Sequence, residues 1–406
     1  MGAFLRDPSV LVEWLRALLM GWGLSAGLTE LVLYLLGGFA LATGPMLWVI
    51  FLIWFERKAV ARFQDRLGPN RVGKFGLLQP FADVLKLMTK EDIIPEGADK
   101  PLYWAAPILS VAGVLLLWPA IPLGLGIGGN LNVGVLYLIA AGTLGIFAIL
   151  LAGWSSNNKY ALLAAFRTVA QLVSYEVPMV LVLLLPVLLA RSLNLQDIVQ
   201  AQDVWFVVYV PLAALIFLIV SIAEVGRTPF DLLEAESEII AGFHIEYSGM
   251  KFAMFFAGEF LHAFTIGILT AVFFLGGWRG PGADIYPVLG ILYLWLKGFL
   301  VYFVVVWIRA THPRIRIDHM LNFSWKFLTP LALALVTVGA VLDKVVVDWG
   351  VWPRALAHLA SNVVVALVTL QLVRAWARRL PRPKVGEPRP VARPQPQTQP
   401  QPASGD

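Results

Sequence analysis

The chain has 406 residues, of which 59% are hydrophobic and 14% charged, with a formal net charge of +5. A soluble domain carries about 25% charged residues because its surface faces water, so this composition excludes an ordinary water-soluble globule. The absence of Cys excludes disulfides, thiolate-held zinc and cysteine-bound iron–sulfur clusters within the chain.

A helix needs about 20 apolar residues to cross the hydrocarbon of a bilayer. That ruler predicts nine spans, near 33–55, 102–123, 134–154, 171–190, 205–224, 252–276, 287–308, 326–346 and 356–376. Backbone groups in lipid must be satisfied internally, and no dyad alternation supports a barrel, so the spans are helices. The fold class expected is therefore an all-α polytopic membrane protein. Ahead of the first span, Leu11, Leu15, Leu18 and Trp22 recur at helical spacing with Glu13 and Arg16 on another face. This is the pattern of an amphipathic helix in the interface, and Leu77 to Lys90 is a second one. The chain start lacks the pattern of a cleavable signal peptide. From Pro381 onward eight Pro occur with Gln, Arg and Gly, a composition expected to stay disordered. The organisation read from this is an interfacial segment over 1–30, a transmembrane core over 31–346, an additional C-terminal helix over 347–380 and the Pro-rich tail over 381–406.

Lys and Arg placement sets orientation. The loops on one side and the C-terminal end hold 24 of the 31 cations, the opposite segments hold six, and Lys297 lies within a span. The cation-rich side is expected to be cytoplasmic, with the N-terminus outside and the C-terminus inside. The loops there are also the long ones, rich in Gly and Pro, which points to a partner or a chemical event on that side.

The first of these loops carries Glu56-Arg57-Lys58 and Gln64-Asp65-Arg66-Leu67-Gly68-Pro69-Asn70-Arg71-Val72-Gly73, where Gly-Pro-Asn is turn chemistry. The third runs from Glu224 through Arg227, Thr228, Pro229, Phe230, Asp231, Glu234, Glu236 and Glu238. Thr228, Pro229 and Asp231 read as a helix start. Six carboxylates stand against one Arg between Glu224 and Glu246. A solvated acidic helix start is the plain reading; crowded carboxylates that hold and pass protons are the functional one.

Ionisable residues inside spans are expensive and suggest function. Glu176 lies near one end of the fourth span, Glu224 closes the fifth, Glu259 lies in the sixth with His262 three residues on, and Lys297 falls near the middle of the seventh. A structural ion pair between Glu259 and Lys297 is the rival to a polar path through the bundle. His262 alone reads better as a satisfied interhelical hydrogen bond.

Taken together, these segments resemble one membrane-protein family of respiratory complex I, the H subunit of bacteria and NADH dehydrogenase subunit 1 of mitochondria. The matching stretches are Glu56-Arg57-Lys58, Gln64 to Gly73, Leu78 to Asp83, Trp154 to Tyr160, Ser174-Tyr175-Glu176, Arg227 to Glu238, Glu246 to Phe252 and Arg309 to Arg316. They run in order from about residue 30 to 345. Gly226 and Leu233 depart from the pattern, standing where relatives often carry a polar residue and Pro. The resemblance implies an eight-helix core that docks, on its cytoplasmic face, onto the peripheral-arm subunits holding the NADH site and iron–sulfur clusters. It implies antiporter-like membrane subunits as further partners, no nucleic acid, and residence in the cell inner membrane. It also implies a quinone chamber, for menaquinone or ubiquinone, opening from the bilayer between the first and sixth spans and shaped by Arg57, Arg66, Asp83, Arg227, Phe230, Asp231, Glu234, Glu236 and Glu238. Glu176, Glu224 and Glu259, with Lys297, would form a polar path away from it. No redox centre or metal of this chain's own is implied.

On residues alone two further readings stay open. One is the equivalent subunit of a membrane-bound hydrogenase or of another complex with a different electron donor. The other is a stand-alone ion transporter, which has no need of such wide loops on one side and would be expected to show an internal repeat. A di-haem cytochrome needs paired intramembrane His, and of five His one, His262, is well inside a span.

Overall fold

The computed structural model describes residues 9–125, 127–233, 238 and 240–379. In chain order the main helices are α1 (Ser9–Gly21), α2 (Ala26–Phe63), α3 (Gln79–Thr89), α4 (Lys100–Leu115), α5 (Gly134–Ser155), α6 (Lys159–Ala190) and α7 (Leu195–Gln200). They continue with α8 (Phe206–Tyr209), α9 (Pro211–Val225), α10 (Gly249–Phe274), α11 (Pro287–Thr311), α12 (Ile317–Phe323), α13 (Thr329–Val346) and α14 (Val351–Arg379). Among the described residues the one sheet is a short antiparallel hairpin, Pro122–Gly124 paired with Ile127–Gly128. Contacts divide the chain into a unit ending at Val365 and one beginning at Ala366. The described part of the second is the latter half of α14.

Eight helices among the described residues are long and apolar enough to cross a bilayer, and α9 is a shorter apolar one. Eight of the nine predicted spans fall on these helices and the fifth on the pair α8 and α9, and the chain is an all-α, multi-pass membrane protein. Lengths differ from the hydropathy reading. α2 runs from Ala26 to Phe63 instead of 33 to 55, so the expected interfacial segment ends inside it. At about 1.5 Å per residue it is far longer than the ~30 Å of hydrocarbon. Its last turns carry Arg57, Lys58 and Arg62 into the polar layer, where a helix keeps its backbone bonds but hydropathy gives no signal. α6 likewise begins at Lys159, fixed by the Asn158 side chain, which accepts from the Tyr160 amide at 2.9 Å.

The fifth span is broken. Pro211 has no N–H and starts α9 as its first residue, so α8 and α9 are separate pieces with Val210 outside helical geometry between them. The Tyr209 carbonyl, which a continuous helix would use, accepts from Asn362 Nδ2 at 3.5 Å.

α10 is the central helix, packed against α11, α4, α9 and α2. Its approach to α11 is close enough that a Cβ on Gly267 would lie 2.5 Å from the Gly298 carbonyl oxygen. Small residues are what permit such contact between membrane helices. An aromatic cluster of Trp48, Phe264, Trp295 and Tyr302 ties α2, α10 and α11 together, with ring centroids between 4.8 and 6.1 Å. The charged residues described next stand at one end of that cluster.

Candidate functional site

Glu56, on α2, is almost fully buried at 3% exposure, in a place where a carboxylate needs partners. It has three. Arg227 Nη1 lies 3.0 Å from Oε1, Arg309 bonds the same oxygen, and the Tyr302 hydroxyl donates to Oε2 at 2.8 Å. Tyr302 and Arg309 are two turns apart on α11 and so face the same way. Arg227 then turns its Nε to Glu259 at 2.9 Å and lays its guanidinium over the Phe260 ring, 4.6 Å from the centroid. One Arg thus bridges carboxylates of α2 and α10, a task the planar fork of guanidinium suits and an ammonium does not.

This bridging sets the loop after α9. Gly226 takes a left-handed φ of 72° and ends the helix. Gln171 Nε2 donates to the carbonyls of Ala223 and Phe230, both at 2.8 Å, and the Pro229 carbonyl accepts from the Ile315 amide at 3.0 Å. The expected helix start at Thr228 does not form, since Arg227 is drawn inward and the carbonyls of Pro229 and Phe230 bond to other elements. Gly226 and Leu233, the two departures from the family pattern, pack on each other: a Cβ at 226 would meet Leu233 Cδ1 at 2.0 Å. The small residue and the bulky one form one fit.

The residues expected at the chamber are only partly gathered here. Arg227 and Phe230 are buried in the cluster, with the Phe230 ring 5.2 Å from Tyr175. Asp231 is half-buried beside them, and its carbonyl accepts from Arg314 at 3.5 Å. Glu238 pairs with Arg167 and, at 3.4 Å, with Arg314. The Arg167 hydrogen bond holds the Glu238 carboxyl below the usual range. Arg57 and Asp83 pair with each other between α2 and α3, and Arg66 is exposed with its Nε on Gln64. Glu234 and Glu236 lie outside the described residues. Nearby, Lys251 bonds both carboxylate oxygens of Asp92 at 2.9 Å and lies over the Trp104 ring, fastening the segment after α3 to α10.

Beside the cluster are two small cavities that share part of their lining, of about 70 Å³ and about 50 Å³. The first is lined by Glu259, Glu224, His244, His262 and Ser110 among apolar side chains. The second is lined by Glu224, Glu176, Ser221 and His262. The space exists because α5 presents Gly142 and Gly145, where an added Cβ would meet nothing within 4 Å. Glu224 Oε2 and Ser221 Oγ are buried without a protein partner, so both need water or a proton donor in the cavity. His244, in the turn before α10, sits among Phe243 and Phe252, and burial pushes its imidazole down to about 4. Burial likewise pushes the Tyr247 hydroxyl up to about 12.

Glu259 and Glu224 therefore line the first cavity, Glu224 and Glu176 the second, and Lys297 lines neither. Its ammonium donates to the carbonyls of Leu275, Gly277 and Arg279 at 2.8, 2.9 and 2.8 Å, closing the far end of α10, and stands over Trp205. Glu259 is at about the third turn of the same helix and pairs with Arg227, so the rival Glu259–Lys297 ion pair does not form. Sequence reasoning left out Glu56, Tyr302, Arg309 and His244 as site residues. For Glu56 the signal was there, a carboxylate at the edge of a span beside Arg57. For the others it was not.

A family profile described as NADH dehydrogenase matches residues 38–340. The chain is 50% identical over 293 residues to the NADH-quinone oxidoreductase H subunit of Dehalococcoides mccartyi (strain CBDB1), covering 72% of this chain and 82% of that one. It is 46% identical over 307 residues to an NADH-quinone oxidoreductase H subunit of Geobacter metallireducens, covering 71% and 89%. With the NADH-quinone oxidoreductase H subunit of Geobacillus kaustophilus it shares 45% identity over 340 residues, covering 83% and 98%.

Proposed function

The chain belongs to the NADH dehydrogenase family of membrane subunits, and on that premise we propose that it is the quinone-site, proton-coupling H subunit of an NADH:quinone oxidoreductase. Its partners are the peripheral-arm subunits, which hold the NADH site and iron–sulfur clusters, and the antiporter-like membrane subunits. It resides in the cell inner membrane with the long charged loops and the C-terminus in the cytoplasm, as the Lys and Arg distribution favours. Quinone, of the menaquinone or ubiquinone class, is substrate; the chain supplies no redox centre.

The observation that carries this reading is the succession of ionisable groups that leads from the ion-paired cluster to the lining of two cavities. It starts with Glu56, Arg227 and Glu259 in one ion-paired cluster and continues through Glu224 to Glu176 along two cavities that share part of their lining. Two electrons delivered to a quinone place negative charge beside the loop of Arg227, Phe230, Asp231, Glu234, Glu236 and Glu238 until protons arrive. Inside a poorly solvated bundle that charge acts strongly on its neighbours, on the order of 4 kcal/mol at 4 Å for an effective dielectric of 20. It competes for Arg227, loosens the hold of Arg227 on Glu259, and so changes which carboxyls of the line keep protons. Arg57, Asp83 and Arg66 order the outer wall by pairing α2 to α3. Lys297 is a helix-end clamp that keeps α10 and α11 in register.

Glu234→Gln tests the chamber half of the proposal in native membranes, with assembly checked on a native gel. The expected result is an assembled complex with severely reduced NADH:quinone reductase activity. Unchanged activity in a fully assembled complex would remove the acidic loop from the machinery.

A further inference from the structure

His262 takes no part in the line described above, yet it stands where that line must cross from one cavity to the other. It follows Glu259 by three residues on α10, so both side chains share a face. Among the described residues, those lining both cavities are Gly142, Glu224 and His262. Gly142 offers bare helix with open space in front of it. The shared lining is thus one carboxyl, one imidazole and a gap, and His262 is half-buried and lines both cavities. The ring makes no hydrogen bond to protein among the described residues. A packed core histidine would find one, and this one is left with the cavity contents as partner. Ser221 Oγ and Glu224 Oε2 are likewise unpartnered, and both residues line the second cavity beside His262.

The ionisable groups facing this junction come from four elements: Glu259 on α10, held by Arg227, Glu224 on α9, Glu176 on α6 and His244 from the turn before α10. A neutral imidazole has an acceptor nitrogen and a donor N–H on opposite sides of one ring. From the proposal that these carboxyls carry protons, on which this step rests, we infer that His262 is the proton-transfer group between the two cavities. One ring nitrogen takes a proton from the Glu259 carboxyl, leaving carboxylate and imidazolium. The other nitrogen gives its proton to the Glu224 carboxylate, restoring a neutral ring as the opposite tautomer. The net change is one proton moved from Glu259 to Glu224 with no electron transferred, and a ring flip then turns the N–H back toward Glu224 and the bare nitrogen toward Glu259.

The test uses the assembled complex in native membranes carrying His262→Gln, His262→Glu or, in parallel, Glu224→Gln. His262→Asn serves as second variant should His262→Gln fail to assemble. Rates are taken per assembled complex, with NADH oxidation by an artificial hydrophilic acceptor as the control for the electron-input half. His262→Gln is expected to lower quinone reductase activity and dye-reported proton uptake at least tenfold while leaving the artificial acceptor rate unchanged. His262→Glu is expected to recover a third or more of the activity, with the acid limb of its pH profile moved toward lower pH because a carboxyl replaces an imidazole. If His262→Gln stays within twofold of the parent while Glu224→Gln loses tenfold, the role of His262 is overturned and the carboxyl line stands. If both stay within twofold, the line itself falls and His262 with it. Loss in His262→Gln without recovery in His262→Glu would make the residue a packing element and overturn the inference.

Discussion

Replacing Arg227 by Met keeps most of the side-chain volume and removes the one cation that bridges α2 and α10. Arg227 is 4% exposed, Glu56 3%, and the bonds at 3.0 and 2.9 Å join two carboxylates through one guanidinium. Removing one partner of a buried pair generally costs about 3–5 kcal/mol, chiefly because the other charge is left in a poor solvent. Glu56 keeps Arg309 and the Tyr302 hydroxyl, and Glu259 faces a cavity that can hold water, so the expected loss sits at the low end, about 3 kcal/mol. At 1.4 kcal/mol per decade that is roughly a hundredfold shift in an equilibrium constant. The assay is a double-mutant cycle of Arg227→Met with Glu259→Gln, read as denaturation midpoints of the purified complex in detergent. Because Glu259→Gln removes the charge that Arg227→Met would strand, the double variant should recover about 1.5 kcal/mol or more as coupling energy. A loss below about 1 kcal/mol for Arg227→Met, or effects additive within about 0.5 kcal/mol, would refute the bridge.

Three further outcomes follow from particular residues. Lys297→Met strips three charge-assisted hydrogen bonds from the end of α10 and should lower stability by about 2–4 kcal/mol, yet leave turnover per assembled complex within twofold; a selective loss of proton pumping would return Lys297 to the polar path. His244 is held neutral by burial with its imidazole at about 4. Because this is below the unfolded value of about 6.5, its contribution is fully present above pH 6.5 and is lost as pH falls toward 4. Between pH 7 and 5 the turn 242–248 should weaken by about 2 kcal/mol, seen as lost amide protection, and His244→Phe should abolish that pH dependence. Gly142→Ala enters open space and should be tolerated or stabilising by about 0.5–1 kcal/mol, whereas Gly142→Leu should fill the junction and cut quinone reductase activity severalfold with assembly intact; equal activity in both would show that the junction is not on the route.

Much of this was legible in the sequence because membrane burial is encoded one residue at a time. Glu176, Glu224 and Glu259 were marked simply by being charged within apolar runs, and each reaches the cavities. Partnership was not legible. Arg227 and Glu56 are 171 residues apart in the chain, and nothing local ties the Arg to two helices. The partners of Lys297 were hidden for the same reason: hydropathy gives depth along a helix but not the carbonyls waiting on its neighbour. At Thr228 the capping pattern was present, but tertiary bonds from Gln171 and Ile315 took the backbone groups a helix would have used. The cavities were invisible because they are made by what is missing, the side chains of Gly142 and Gly145 on α5. The fifth span was found at the right place, while its break at Pro211 shows that a proline inside an apolar run marks a boundary.

The central claim is that buried carboxyls of this chain couple quinone reduction to proton movement, and Glu224 is the carboxyl common to both cavities. The most direct measurement is the number of protons translocated per NADH oxidised in sealed vesicles holding the assembled Glu224→Gln complex. Quinone reduction and proton translocation should fall together by tenfold or more, with artificial acceptor activity retained. Full quinone reductase activity with an unchanged proton-to-electron ratio would contradict it.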